Sequence, residues 1–281
     1  MSLQRGGQEI YRLMEICSSG ISCYIGVYMV VIFIIGTAGS GKSLLTASLN
    51  EWLKVGKQKA ATVNLDPGVL NLPYTPDIDI RDQINLNDIM EEYMLGPNGA
   101  LVLASDLIAE EAESLGGEIE DLQSDVVLVD TPGQMELFAF RASGPYIANE
   151  LTKEQKAIVY LFDAVFSFNP LNYVSNMFLS TAVYNRFFFP QLHVLSKCDL
   201  LPPEEVNRIV EWSTDPDTLE VVIDKKLSGT RRLLSRDMVH AIYRLGLEFQ
   251  LIPVSGKTND GLINLSSALE RILVGGEKFT M

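Results

Sequence analysis

Apolar runs without alternation punctuate the chain at 30–35, 60–65, 126–130, 157–162, 191–196 and 249–255. A strand with one wet face alternates apolar and polar positions, so runs that are apolar throughout predict strands covered on both faces. Between them, apolar positions spaced by three and four predict helices over 42–53, 84–95, 101–115, 171–187, 203–212, 229–245 and 261–273. Buried strands alternating with helices predict an α/β fold of three layers around a mostly parallel sheet. The first helix reaches the second strand through only Val55, Gly56, Lys57 and Gln58. So short a return makes the second strand parallel to the first in a right-handed βαβ unit.

Composition narrows the class. With 281 residues, 47% of them hydrophobic and 21% charged, the chain carries enough apolar mass for a packed core. Its 22 Lys and Arg stand against 36 Asp and Glu, a net charge of −14, and such a field repels phosphate backbones, excluding non-specific nucleic-acid binding. The local exception is the basic run Lys225, Lys226, Arg231, Arg232 and Arg236, which reads as a solvated helix face. Cys17, Cys23 and Cys198 are too few and scattered for a disulfide framework, and His193 and His240 too few for a zinc cluster, which points to a reducing, cytoplasmic setting. The apolar stretch 20–36 imitates a membrane segment but runs directly into a phosphate-binding loop, so its second half is read as a buried strand, and no membrane is expected. Met29 opens that strand with almost no lead-in. Residues 1–28 are therefore read as an extension without assigned function, and 29–281 as a single domain with a helical insertion near 203–247.

The chemistry starts at Gly36-Thr37-Ala38-Gly39-Ser40-Gly41-Lys42-Ser43, a GxxxxGK[ST] phosphate loop between strand and helix. Its glycines let successive N–H groups converge on phosphates, the following helix N-terminus at Ser43 and Leu44 adds positive potential, Lys42 reaches the β- and γ-phosphates, and the Ser43 hydroxyl suits Mg²⁺. Asp130-Thr131-Pro132-Gly133-Gln134 follows the strand ending at 130, where an open parallel sheet places its ligands. There Asp130 suits the Mg²⁺ shell, the Gly133 N–H a γ-phosphate, and Gln134 an attacking water. Ser196-Lys197-Cys198-Asp199, with Ser255-Gly256-Lys257 after a later strand, suits a guanine base. The Asp199 carboxylate accepts both N–H donors of guanine's Watson–Crick edge, while the Lys197 stem lies along the base plane. Ser196 stands where GTPases usually carry Asn.

Two further motifs are ambiguous by themselves. Leu65-Asp66-Pro67-Gly68 beside the phosphate loop reads as a turn, or as a carboxylate, Asp66, aimed at the attacking water or metal shell. Gly96-Pro97-Asn98-Gly99 reads as a helix stop followed by a turn.

Together with Leu65-Asp66-Pro67-Gly68, the stretch 78–82 and Asp130 to Glu136, however, Gly96-Pro97-Asn98 resembles the GPN-loop GTPases, named for this insertion. The resemblance runs from 31 to about 275 and takes in Ser143-Gly144 and the Asn-rich helix at 172–176. It implies the P-loop nucleotide-dependent dimerisation (SIMIBI) class, unlike Ras-type GTPases, which place an antiparallel strand after the first helix. It also implies binding of GTP and GDP with Mg²⁺, hydrolysis with Asp66, Gln134 and Glu136 placing water, and a homodimer in which Asn98 of one subunit serves the site of the other. Eukaryotic members imply protein clients such as RNA polymerase subunits, so a GTP-controlled adaptor with incidental turnover is the second reading. A MinD or partition-type ATPase is the third. Its second lysine after the first loop glycine is replaced here by Thr37.

Overall fold

The computed structural model describes residues 29–244 and 249–274. The stretch 1–28 and the expected end of the helix at Leu245 lie outside the described residues. The strands are β1 (Val30–Gly36), β2 (Ala60–Asn64), β3 (Ile78–Asp79), β4 (Val126–Asp130), β5 (Gln155–Asp163), β6 (Gln191–Ser196) and β7 (Leu251–Pro253). They form one sheet in the order β3-β2-β4-β1-β5-β6-β7, and every pairing is parallel. The second strand is thus parallel to the first, with β4 lying between them. In register, Asp130 stands opposite both Ile34 and Asn64, which brings the carboxyl ends of β1, β2 and β4 to one edge.

The helices are α1 (Lys42–Val55), α2 (Leu86–Glu92), α3 (Pro97–Glu110), α4 (Ala112–Asp121), α5 (Met135–Ala139), α6 (Ser143–Glu150), α7 (Ala164–Ser167), α8 (Pro170–Phe187), α9 (Pro203–Thr214), α10 (Pro216–Lys226), α11 (Gly229–Arg244) and α12 (Leu262–Val274). Strand β1 is buried throughout because both its faces are covered. Val30, Ile32 and Ile34 pack with Leu45, Leu49 and Leu53 of α1 and with Leu262, Leu265 and Leu269 of α12. Val31, Phe33 and Ile35 join the larger cluster that includes Ala104, Phe138, Ile147 and Tyr173. The result is the expected three-layer arrangement. The insertion helices are joined to it through Trp212, buried edge-on against Tyr173 with ring centroids 5.6 Å apart.

Several boundaries differ from the pattern, each for a local reason. The helix expected from Ile84 starts at Leu86, because the Asn85 side chain accepts from the N–H groups of Asn87 and Asp88 and caps it. It stops at Glu92, and Met94 follows in the left-handed region at φ 49°. The helix expected from Leu101 begins instead at Pro97, with Gly96 as its cap, so Gly-Pro-Asn is a helix start rather than a helix stop. Proline at the first position fits, since its missing N–H would be unpaired there anyway. Helix α10 carries the same device, Asp215 capping Asp217 N–H with Pro216 first, and had a legible start signal in a stretch without clear periodicity. Strand β3, α5, α6 and α7 are too short to show a period.

Helices α5 and α6 meet so closely that a Cβ at Gly144 would lie 1.5 Å from the Phe138 carbonyl oxygen, whereas one at Gly117 in α4 would meet nothing within 4 Å. Gly144→Ala is expected to lower unfolding stability by about 3 kcal/mol, and Gly117→Ala to raise it by about 0.5 kcal/mol. Urea unfolding of the two variants beside the parent checks both; equal midpoints for the two would contradict the packing.

Candidate functional site

The segment between β1 and α1 turns through Gly39 at φ 73° and Gly41 at φ 94°, left-handed conformations that disfavour residues with a Cβ. Helix α1 then starts with no side-chain cap and no acidic residue in its first turn. Its unpaired N–H groups and dipole therefore remain available to an anion at the mouth of the loop. Lys42 is buried, and its Nζ donates to the carbonyls of Gly36 at 3.0 Å, Thr37 at 3.3 Å and Gly133 at 3.4 Å. Burial lowers its pKa, against the opposing pull of Asp130, Asp66 and Glu136. Gly36 closes β1, and the buried Ser40 Oγ has no partner among the described residues.

At the next strand end, Asp130 is 1% exposed. Burial pushes its carboxyl up to about 6, opposed by Ser43, Lys42 and the Tyr74 hydroxyl. The Ser43 hydroxyl lies close enough to the carboxylate to oppose the shift, and Asp130 Oδ1 is left without a hydrogen-bond partner. Asp66 spans two turns: its Oδ1 accepts from Gly68 N–H at 2.9 Å and its Oδ2 from Gly133 N–H at 2.7 Å. The Gly133 N–H expected to meet a γ-phosphate is therefore held by Asp66 here. Gln134 caps α5 and Glu136 lies in its first turn, both exposed.

A partly buried clamp that the sequence pattern does not reveal sets Asp66. Asn64 accepts from the Asp66 N–H at 3.1 Å and donates to the Asp66 carbonyl at 3.2 Å and to Asp79 at 2.9 Å. Arg81 then bonds Asp79 through Nε at 2.9 Å and the Val69 carbonyl through Nη1 at 3.0 Å. The stretch 78–82 was visible as a motif; its role required the pairing of β2 with β3.

Gly96, Pro97 and Asn98 are exposed at the start of α3, and Leu101 one turn later is the first atom a Cβ on Gly68 would meet, at 3.0 Å. This places the Gly-Pro-Asn turn on the side of the site formed by Asp66.

The third group gathers at the ends of β6 and β7. A cavity of about 190 Å³ is lined there by Gly41, Leu44, Ser196, Lys197, Asp199 and Gly256 among others. Lys257 of the Ser255-Gly256-Lys257 motif lines it too, as do Leu45 and Leu200, which the sequence motifs did not include. Lys197 is left-handed at φ 60°, lies along Gly41, and pairs with Asp163 at 2.6 Å. Asp199 accepts from Ser255 Oγ at 2.7 Å. Ser196 points inward, donating to the Ser40 carbonyl at 2.7 Å and the Phe162 carbonyl at 3.2 Å, so it ties β6 to the phosphate loop.

Among the described residues no group of three or more His, Cys, Asp or Glu is placed to hold a metal. What the site offers a cation is the Ser43 hydroxyl near the Asp130 carboxylate, whose Oδ1 is unpartnered, a sparse oxygen set that fits Mg²⁺, which keeps water and phosphate oxygens as most of its shell. Among the described residues no helix is long and apolar enough to cross a membrane.

Comparison with known proteins agrees with this geometry. Residues 34–274 match a family model described as "conserved hypothetical ATP binding protein". The chain is 34% identical over 243 residues to the GPN-loop GTPase PAB0955 of Pyrococcus abyssi, covering 85% of this chain and 95% of that one. It is 30% identical over 252 residues to GPN-loop GTPase 1 of Saccharomyces cerevisiae, but that match takes in only 65% of the yeast protein's length. The crystal structure of PAB0955, a GTPase in apo form, superposes with a TM-score of 0.77 at 33% identity, over 87% of this chain and 97% of that one.

Asp130→Asn tests the cost of holding a charge at this buried position. A carboxyl raised from 3.8 to about 6 binds a proton in the folded state that it has lost in the unfolded one, so its ionisation drains stability as pH rises between those values. In chelator and without nucleotide, the neutral amide should stabilise the protein on the order of 2 to 3 kcal/mol above pH 6 and very little near pH 3.5. Urea unfolding across that range checks it, and a pH-independent difference would contradict it.

Proposed function

Because the chain belongs to the GPN-loop GTPase family, we propose that it binds GTP and hydrolyses it to GDP and phosphate with water as the nucleophile. The observation that carries this reading is the cavity joining the phosphate loop to Lys197 and Asp199. A carboxylate at Asp199 meets two N–H donors on guanine, whereas adenine presents a ring-nitrogen lone pair beside its amino group. This favours guanine over the ATP of the family description. The Lys197–Asp163 ion pair supports a stem held flat along Gly41, where a base plane fits.

The phosphates are bound by the α1 N-terminus, the loop N–H groups and Lys42, with Ser43 and Asp130 holding Mg²⁺. When bound, Mg²⁺ supplies neutralisation of charge on the phosphate oxygens. Asp66 and Gln134, with Glu136 behind them, orient water in line with the bond between the γ-phosphorus and the bridging oxygen, which leaves with GDP. Asp66 is suited to this because its carboxylate already reaches the Gly133 N–H across the two turns. The exposed Asn98 side chain makes no hydrogen bond among the described residues, which supports a homodimer in which it completes the partner's site. The helices of 203–244 then offer a surface for a protein client of the RNA polymerase subunit type, in the cytoplasm.

Titration with GTP and ATP tests the base: GTP is expected to bind far more tightly, and Asp199→Asn to weaken GTP by roughly 2 to 3 kcal/mol. Equal affinities in the parent would overturn the guanine assignment.

A mixing experiment tests the dimer. Asn98→Ala and Lys42→Ala should each be nearly inactive. After subunit exchange about half the dimers are mixed, and each carries one intact site facing one intact Asn98, so about a quarter of the parental turnover should return. With exchange verified by labelled subunits, turnover that stays at the level of either variant would place Asn98 in its own chain.

A further inference from the structure

Tyr74 belongs to none of the motifs above, yet it reaches the centre of the site. It lies in the irregular stretch between β2 and β3, and its hydroxyl donates to Asp130 Oδ2 at 3.2 Å. The stretch is fastened on both sides of it. Arg81 Nη1 bonds the Val69 carbonyl at 3.0 Å, and Asp77 Oδ2 accepts from the Thr62 N–H at 2.8 Å and the Thr62 hydroxyl at 3.0 Å.

The alternatives for steadying Asp130 are committed elsewhere. The Thr131 hydroxyl donates to the Ile34 carbonyl at 2.7 Å, and Lys42 Nζ donates to loop carbonyls. Among the described residues, Tyr74 is the donor whose hydrogen bond the Asp130 carboxylate accepts, at Oδ2, while Oδ1 accepts none. A carboxylate with two free oxygens rotates between them. One whose Oδ2 is taken presents a single, fixed oxygen.

We propose that Tyr74 is a positioning residue for the cation site: its phenol occupies Oδ2 of Asp130 and holds Oδ1 toward Ser43, where Mg²⁺ is to bind. The inference rests on the reading of Asp130 as the support of Mg²⁺. Carboxylates near metals are held in this way by outer donors, and loss of such a donor weakens metal affinity by about 10-fold or more.

The test uses equilibrium binding of a fluorescent GDP analogue to the full chain, stripped of metal with EDTA and titrated with MgCl₂. In the parent, Mg²⁺ strengthens binding. In Tyr74→Phe, which keeps the ring, the Mg²⁺ concentration for half the effect should rise about tenfold while affinity in EDTA stays within about twofold. In an Asp130→Asn background, Tyr74→Phe should produce no further shift, since the acceptor it positions is gone. A folded Tyr74→Phe with parental Mg²⁺ dependence overturns the proposal. So does an equal loss with and without Mg²⁺, or a variant that fails to fold, either of which assigns Tyr74 to packing. No Mg²⁺ effect in the parent itself would overturn the reading of Asp130 along with it.

Discussion

A helix N-terminus left without a cap, at the edge where parallel strands all end, is the constraint from which the rest of this site follows. Most helices satisfy their first N–H groups with a Ser, Thr, Asp or Asn side chain. Helix α1 has Gly41 at that position and no side-chain bond, so the donors of its first turn are kept for a ligand. Parallel pairing then places Gly36 and Asp130 at, and Asp66 just past, the same ends of β1, β4 and β2. Positive potential from the backbone and negative charge from two carboxylates are thereby brought to one edge of the sheet, the charge pattern on which the proposed binding of phosphate and Mg²⁺ rests.

The polar groups at this edge pair with one another locally. Lys42 turns its ammonium onto three backbone carbonyls, and Asp66 takes the Gly133 N–H. These are the groups that a nucleotide's phosphates are read as engaging. Each pairing keeps a buried polar group satisfied at little cost and is exchangeable for a stronger one to phosphate. Asp130 is the exception, since burial raises it and one oxygen finds no donor.

The site is braced by pairings between neighbouring elements. Asn64, Asp79 and Arg81 fasten the Asp66 turn from behind, Ser196 fastens β6 to the phosphate loop, and Asp163 fastens Lys197. The cavity at the ends of β6 and β7 and the phosphate loop consequently share a wall, lined by Lys197, Gly41 and Leu44.

The sequence by itself determined the elements whose physics is local. Doubly apolar runs marked the long strands, the loop glycines marked the left-handed turn before α1, and the carboxyl-end motifs named Asp130, Lys197 and Asp199, which lie at strand ends in the fold. It also carried the Gly-Pro-Asn motif but misread its geometry, because Gly-Pro signals both the end of one helix and the start of the next, and only the packing of α3 against the core decides. What the tertiary structure alone decided are the contacts between residues distant along the chain. Tyr74 meets Asp130 across 56 positions, Ser196 meets Ser40 across 156, and Asp66 meets Gly133 across 67. No periodicity or spacing encodes these pairs; they exist because the strand order sets β4 between β1 and β2, and β5 between β1 and β6, so that loops far apart in sequence are forced onto one edge.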